Sequence, residues 1–239
     1  VLEPLVRITL GPLLLAQGAW VRRVTPRLPE AAGPRTDSAG AGPALSLLVT
    51  GDSSAAGVGV ATQQEALAGQ LAARLATSHR VRWTVLARTG LDTRELAALL
   101  GESPPDGHDV AVVCTGVNDV TGRCEPAAYV ERVERVLQVL RQRHGVRLAV
   151  LSPVPPMHRF TALPQPLRAY LGWRAQALDA TLRAHAPRWP GCVLLPEPLP
   201  AAPGALASDG FHPSAQTYRA WAGAVAAVIG LHADELARD

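Results

Sequence analysis

Residues 44–59 read ALSLLVTGDSSAAGVG, an apolar Leu/Val run that ends in a loop of Gly, Ser and Ala. A short run without polar alternation is the form of a strand buried on both faces, and the loop after it is delivered at the strand's carboxyl end. Four more such runs occur further along the chain: 81–86 (VRWTVL), 109–115 (DVAVVCT), 146–151 (VRLAVL) and 192–195 (CVLL). Helical patterns separate them. Residues 62–78 set Leu67, Leu71 and Leu75 at four-residue steps. Residues 126–144 place Val130, Val133, Val136, Leu137 and Leu140 opposite Glu and Arg, and 166–185 and 214–230 read the same way. Strand and helix in alternation predict an α/β fold, a five-stranded parallel sheet with right-handed crossovers and helices on both faces. In such a sheet a site is expected outside the carboxyl ends of the strands.

The 239 residues, 48% hydrophobic and 18% charged, suffice for a globular core and exclude disordered, collagen-like and coiled-coil classes. We read residues 1–43 as an apolar arm plus linker and 44–239 as the main domain. All 23 basic residues are Arg, since the sequence has no Lys. This removes Walker-type phosphate loops, Schiff-base enzymes and protein kinases, each of which needs an amine. The Arg are scattered and aromatics make up only 4%, so no nucleic-acid surface is indicated. Cys114, Cys124 and Cys192 have neither CxxC spacing nor a His pair nearby, which predicts free thiols and no metal.

In the arm, residues 8–20 (ITLGPLLLAQGAW) are apolar but interrupted by Gly11-Pro12, and too short to span a bilayer, which takes roughly 20 apolar residues. Three readings stay open: a helix or arm docked on the domain, a signal-peptide remnant, and a membrane-surface or dimer contact. Cytoplasmic, periplasmic and envelope-associated locations stay open with them. Residues 29–43 (PEAAGPRTDSAGAGP) have linker composition.

The loop after the first strand does not fit two familiar motifs. Gly57-Val58-Gly59-Val60-Ala61-Thr62 lacks the third glycine of a dinucleotide fingerprint. Gly51-Asp52-Ser53-Ser54-Ala55 has Ala where a nucleophile elbow has Gly. The remaining readings are Ser53 as a nucleophile just past a buried strand, near a helix N-terminus, or as a simple cap. Elsewhere, Asp209-Gly210-Phe211-His212 puts a carboxylate three residues from an imidazole, the spacing at which Asp209 can orient His212 as a base. Gly116-Val117-Asn118-Asp119 comes after the third strand and Arg88-Thr89-Gly90 after the second, so Asn118 and Gly90 can supply oxyanion donors. All four motifs fall on the sheet edge where the site is expected.

With these blocks the sequence resembles the GDSL, or SGNH, hydrolases: Gly51-Asp52-Ser53, Gly90, Gly116-x-Asn118-Asp119 and Asp209-x-x-His212, over residues 44 to about 230. The resemblance implies a flavodoxin-like three-layer fold and a serine esterase with neither metal nor organic cofactor. It assigns Ser53 as nucleophile, His212 as base and Asp209 as its partner, with the amides of Ser53 and Gly90 and the Asn118 side chain as oxyanion hole. For the substrate, a small-molecule ester, the proline-rich loop 152–164 offers Val154, Met157, Phe160 and Leu163 as pocket walls; Asp52, Met157 and Phe160 are the candidate contacts. Residues 196–203 form a second such loop. Short- to medium-chain acyl esters are expected. A thioesterase or lysophospholipase, a carbohydrate deacetylase, and a non-catalytic binding module on the same fold are the alternatives. Arg88, Arg123 or Arg159 would serve an acyl-CoA phosphate, and His158 is the one further His near the cleft.

Overall fold

The computed structural model describes residues 2–196 and 204–236, with the side chains of residues 2–8 and of 234–235 outside that set. The second proline-rich loop therefore lies almost wholly outside the described residues. The five apolar runs form strands β2 (Ala44–Gly51), β3 (Arg80–Ala87), β4 (Val110–Cys114), β5 (Leu148–Leu151) and β6 (Cys192–Leu194), parallel and ordered β3-β2-β4-β5-β6. The sheet has six strands rather than five. β1 (Thr36–Ala39), inside the stretch of linker composition, lies antiparallel on β3 with Thr36 opposite Thr84 and Ala39 opposite Val81. An exposed edge strand is held by its backbone ladder, so its sequence, TDSA, carries no apolar run to announce it.

The chain reverses direction across the sheet at β2, whose neighbours are β3 on one side and β4 on the other. This is the switch point at which doubly wound sheets open a crevice, and Ser53 comes directly after β2. Successive β2 residues point to opposite layers. Leu47 and Val49 pack with Leu67 and Leu71 of α2 (Leu67–Leu75) and with Val225 of α7 (Ala215–Leu231). Leu48 faces the layer of α3 (Thr93–Glu102), α5 (Pro126–His144) and α6 (Leu167–His185). α2 is shorter than its 62–78 pattern, because residues 62–66 form turns in which Gln63 N–H donates to Ala32 O at 2.8 Å.

The arm begins with helix α1 (Leu2–Val24), which continues through Gly11-Pro12 instead of breaking there. A proline removes one backbone bond, and here the turns beyond it dock on the domain. Leu14 and Val21 are buried, and Gln17 brackets the start of α6, donating to Gln165 O at 2.6 Å and accepting from Leu167 N–H at 3.0 Å. Leu13, Leu15, Trp20 and Val24 remain exposed. No helix among the described residues is long and apolar enough to cross a membrane.

Candidate active site

Gly51 ends β2 with φ +148°, and a Cβ there would lie 1.9 Å from Cys114 O, so only glycine lets β2 and β4 stay this close at the turn. The chain then coils through turns, and the first regular helix after Ser53, α2, begins at Leu67: Ala56 N–H bonds Asp52 O and Val58 N–H bonds Ser53 O, both at 3.0 Å. Tyr218 of α7 fastens this loop by donating to Val58 O at 2.8 Å and Ser54 O at 3.0 Å. Gly59 allows close packing from the other side, since a Cβ on it would stand 2.3 Å from Pro213 O, next to His212.

Ser53 Oγ lies 3.0 Å from His212 Nε2, although 159 residues separate the two in sequence. His212 Nδ1 lies 2.6 Å from Asp209 Oδ2. The other carboxylate oxygen, Oδ1, accepts the backbone N–H groups of Phe211 and His212, each at 3.0 Å. Burial raises the Asp209 pKa, but the His212 ring and these two N–H groups outweigh it, so the carboxyl ionises below its ordinary range. A fixed, charged Asp209 selects the tautomer with H on Nδ1 and leaves Nε2 as acceptor for the Ser53 hydroxyl.

Two further loops complete the edge. Asn118 opens α4 (Val117–Thr121) and its Nδ2 donates to Leu91 O at 2.9 Å, which uses one of its two amide hydrogens and ties the loop after β4 to the loop after β3. Asp119, buried, accepts from Thr93 N–H at 3.0 Å, Thr93 Oγ1 at 2.6 Å and Arg132 at 3.0 Å. Desolvation raises its pKa, and the Thr93 and Arg132 contacts offset that only in part. Asp92 caps α3 in a reciprocal box with Glu95, a D-x-x-E signal present in the sequence. The backbone N–H groups of Ser53 and Gly90 have no acceptor among the described residues.

The arm supports the same edge. Glu30 Oε1 accepts both Thr89 N–H and Thr89 Oγ1 at 2.7 Å, and Glu30 also pairs with Arg35, which donates to Ala87 O at 2.6 Å. Ala31 N–H bonds Ala56 O at 3.2 Å. Glu30 carries no motif, so only its position in space links it to the Gly90 loop.

Ser53 and His212 line a cavity of about 360 Å³ with Asp52, Val117, Pro153, Pro155, Phe160 and Phe211 among its walls. Phe160 packs edge-on against Phe211 with ring centroids 4.8 Å apart. Met157 does not reach this cavity: it is fully buried in the core, on a 3-10 turn beneath the loop. Period alone does not separate it from Phe160, because in a proline-rich loop no regular repeat tells inward from outward side chains. Val154 is likewise buried and does not line the Ser53 cavity, whereas Leu163 lines a second one beside Asn118. Asp52 reaches the first cavity with its Oδ1 held by Ser54 N–H at 2.9 Å and Oγ at 2.7 Å, and burial raises its pKa. Cys114 shares the lining, but desolvation pushes its thiol far up, so it stays protonated. His158 lies exposed against Gly172 and lines neither cavity, and of Arg88, Arg123 and Arg159 only Arg123 reaches the second.

Comparison with known proteins places the chain in a family. The chain is 30% identical over 231 residues to the GDSL-like esterase Rv1075c of Mycobacterium tuberculosis (strain ATCC 25618 / H37Rv), an alignment covering 86% of this chain and 72% of the relative. The fold is shared with TesA (TM-score 0.60, 22% identity, 77% of this chain and 97% of that one). It is also shared with the acetylxylan esterase Axe2 of Geobacillus stearothermophilus (TM-score 0.54, 18% identity, 78% and 94%). The model of the GDSL-like lipase/acylhydrolase family matches residues 49–220, from the end of β2 into α7, and the chain belongs to that family of ester hydrolases.

Proposed function

We propose that the protein is a serine carboxylesterase acting on apolar acyl esters of small to medium size through an acyl-Ser53 intermediate. The observation that carries this reading is the continuous hydrogen-bonded series Asp209–His212–Ser53, at 2.6 and 3.0 Å, opening into a largely apolar cavity. Ser53 Oγ attacks the ester carbonyl as His212 Nε2 takes its proton, and Asp209 stabilises the imidazolium. The carbonyl oxygen becomes an oxyanion, received by the Ser53 and Gly90 amides and the second hydrogen of Asn118 Nδ2. Collapse expels the alcohol, protonated by His212, and water repeats the sequence to free the acid and restore Ser53.

Asp52 acts in this scheme through the Ser54 turn, as a positioning residue, and Phe160 walls the site. The exposed Leu13, Leu15, Trp20 and Val24 of α1 fit a contact with a lipid surface. Hydrolysis of p-nitrophenyl esters from acetate to palmitate by the wild type and Ser53→Ala tests the reading. Turnover lost in Ser53→Ala, together with fluorophosphonate labelling lost at the same residue, is the expected result. Retained turnover in the variant refutes the assignment.

A further inference from the structure

The cavity beside Asn118 has a volume of about 690 Å³, within the range of pockets that enclose drug-sized ligands. One wall is α1, through Leu14, Gly18 and Val21; the facing wall includes Leu163 and Leu171, and Asn118 and Phe211 lie at its catalytic end. Phe211 lines this cavity and the Ser53 cavity alike, so the two meet at its ring. Its charged lining residues are Arg22 and Arg123, and among the described residues no carboxylate lines it. Gly11 and Gly18 line it on the α1 side and face open space: a Cβ on Gly11 would meet nothing within 4 Å, and one on Gly18 only the Arg22 guanidinium at 3.7 Å. Neither glycine is required by the helix, where each costs stability relative to alanine. The family match begins at residue 49, so this wall is built by a part of the chain upstream of it.

His212 and Asn118 relate the two oxygens of an ester to the two cavities. His212 must protonate the departing alcohol oxygen, and His212 lines the Ser53 cavity but not this one. Asn118, expected to hold the carbonyl oxygen, lines this cavity but not the other. With the alcohol leaving on the His212 side, this cavity is the space open to an acyl chain running from the carbonyl past Phe211 along α1. We infer that α1 and α6 together form an acyl-chain groove, with Gly11 and Gly18 setting its depth, so that medium-chain aliphatic acyl groups, the upper part of the proposed size range, are the preferred substrates. This rests on the serine-esterase reading for the reaction, but the binding of the chain is separable from it.

The test uses the full chain with Gly18→Trp, and Gly11→Trp as a second variant, each introduced where helix geometry tolerates a side chain. The ratio of kcat/KM for p-nitrophenyl decanoate to that for the acetate is expected to fall about tenfold or more, the equivalent of displacing roughly two methylene contacts. Independently of turnover, binding of monomeric decanoate to Ser53→Ala, followed by calorimetry, is expected to weaken by about the same factor when Gly18→Trp is added. Folded tryptophan variants that keep the wild-type ratio, and decanoate affinity within about twofold, overturn the groove. If the wild type hydrolyses no ester, the esterase reading fails, and the decanoate titration then decides the groove by itself.

Discussion

Glu30 stands outside every motif, yet it holds the loop that presents Gly90. Its carboxylate takes two hydrogen bonds from Thr89 at 2.7 Å and pairs with Arg35, while its side chain is 31% exposed. Replacing Glu30 by Ala removes both bonds and leaves Arg35 bonded to Ala87 O without its ion pair. Hydrogen bonds to charged groups contribute about 1.5–3 kcal/mol each when buried, and partial exposure reduces the total here to about 1–2 kcal/mol. The larger effect is expected on catalysis. If loop 88–91 loses its anchor, the Gly90 N–H drifts from the oxyanion, and full loss of one such donor costs about 10²–10³ in kcat. A loosened donor should cost about tenfold, with KM nearly unchanged because the ground-state carbonyl makes little use of it. Steady-state kinetics on p-nitrophenyl acetate beside thermal unfolding checks this, with Glu30→Gln, which keeps acceptor capacity, recovering most of kcat. A Glu30→Ala protein with lowered Tm but wild-type kcat refutes the reasoning and reduces Glu30 to a structural contact.

Asn118→Ala is expected to lower kcat by about 10²–10³, and more than removal of one donor alone if the loop freed from Leu91 O also shifts. Asp209→Asn should cost about 10⁴ in kcat, since an amide in place of the acceptor allows the wrong His212 tautomer; a pre-steady-state burst of wild-type size would contradict this. Gly51→Ala is expected to give little soluble protein, because its Cβ would sit 1.9 Å from Cys114 O; a variant with wild-type Tm would show that β2 and β4 can part there. Glu30 and Asp209 both ionise below their ordinary values, burial opposing and the hydrogen bonds prevailing. Their contribution to stability is thus present above the unfolded carboxylate pKa and lost as pH falls through the lowered folded value, so Glu30→Gln should flatten the acid limb of a Tm profile.

How much was legible in the sequence depends on how local the cause is. β2, β4 and β5 were readable as strands because burial on both faces demands uninterrupted apolar runs, and α5 because its apolar stripe repeats with the helix period. Ser53 and Asn118 stood out by their places after strands and the Asp209–His212 pair by its spacing before the last helix, and the family resemblance supplied the roles proposed for them. β1 was not readable, since TDSA stabilises through its backbone ladder on β3, which any sequence offers. The continuation of α1 through Gly11-Pro12 was not readable either, because docking of Leu14, Gln17 and Val21 on the domain overrides a local break.

The sequence by itself determined the layer order, the placing of four chemical blocks on one sheet edge, and the classes that a chain without lysine cannot join. Tertiary structure alone decided that Ser53 meets His212 across 159 residues, that Phe160 and not Met157 faces the cavity, that Glu30 holds the Thr89 loop and that α1 lines the cavity beside Asn118. Periodicity records which side of an element is buried, whereas the partner it meets there is set by how distant elements pack, and no local repeat encodes that.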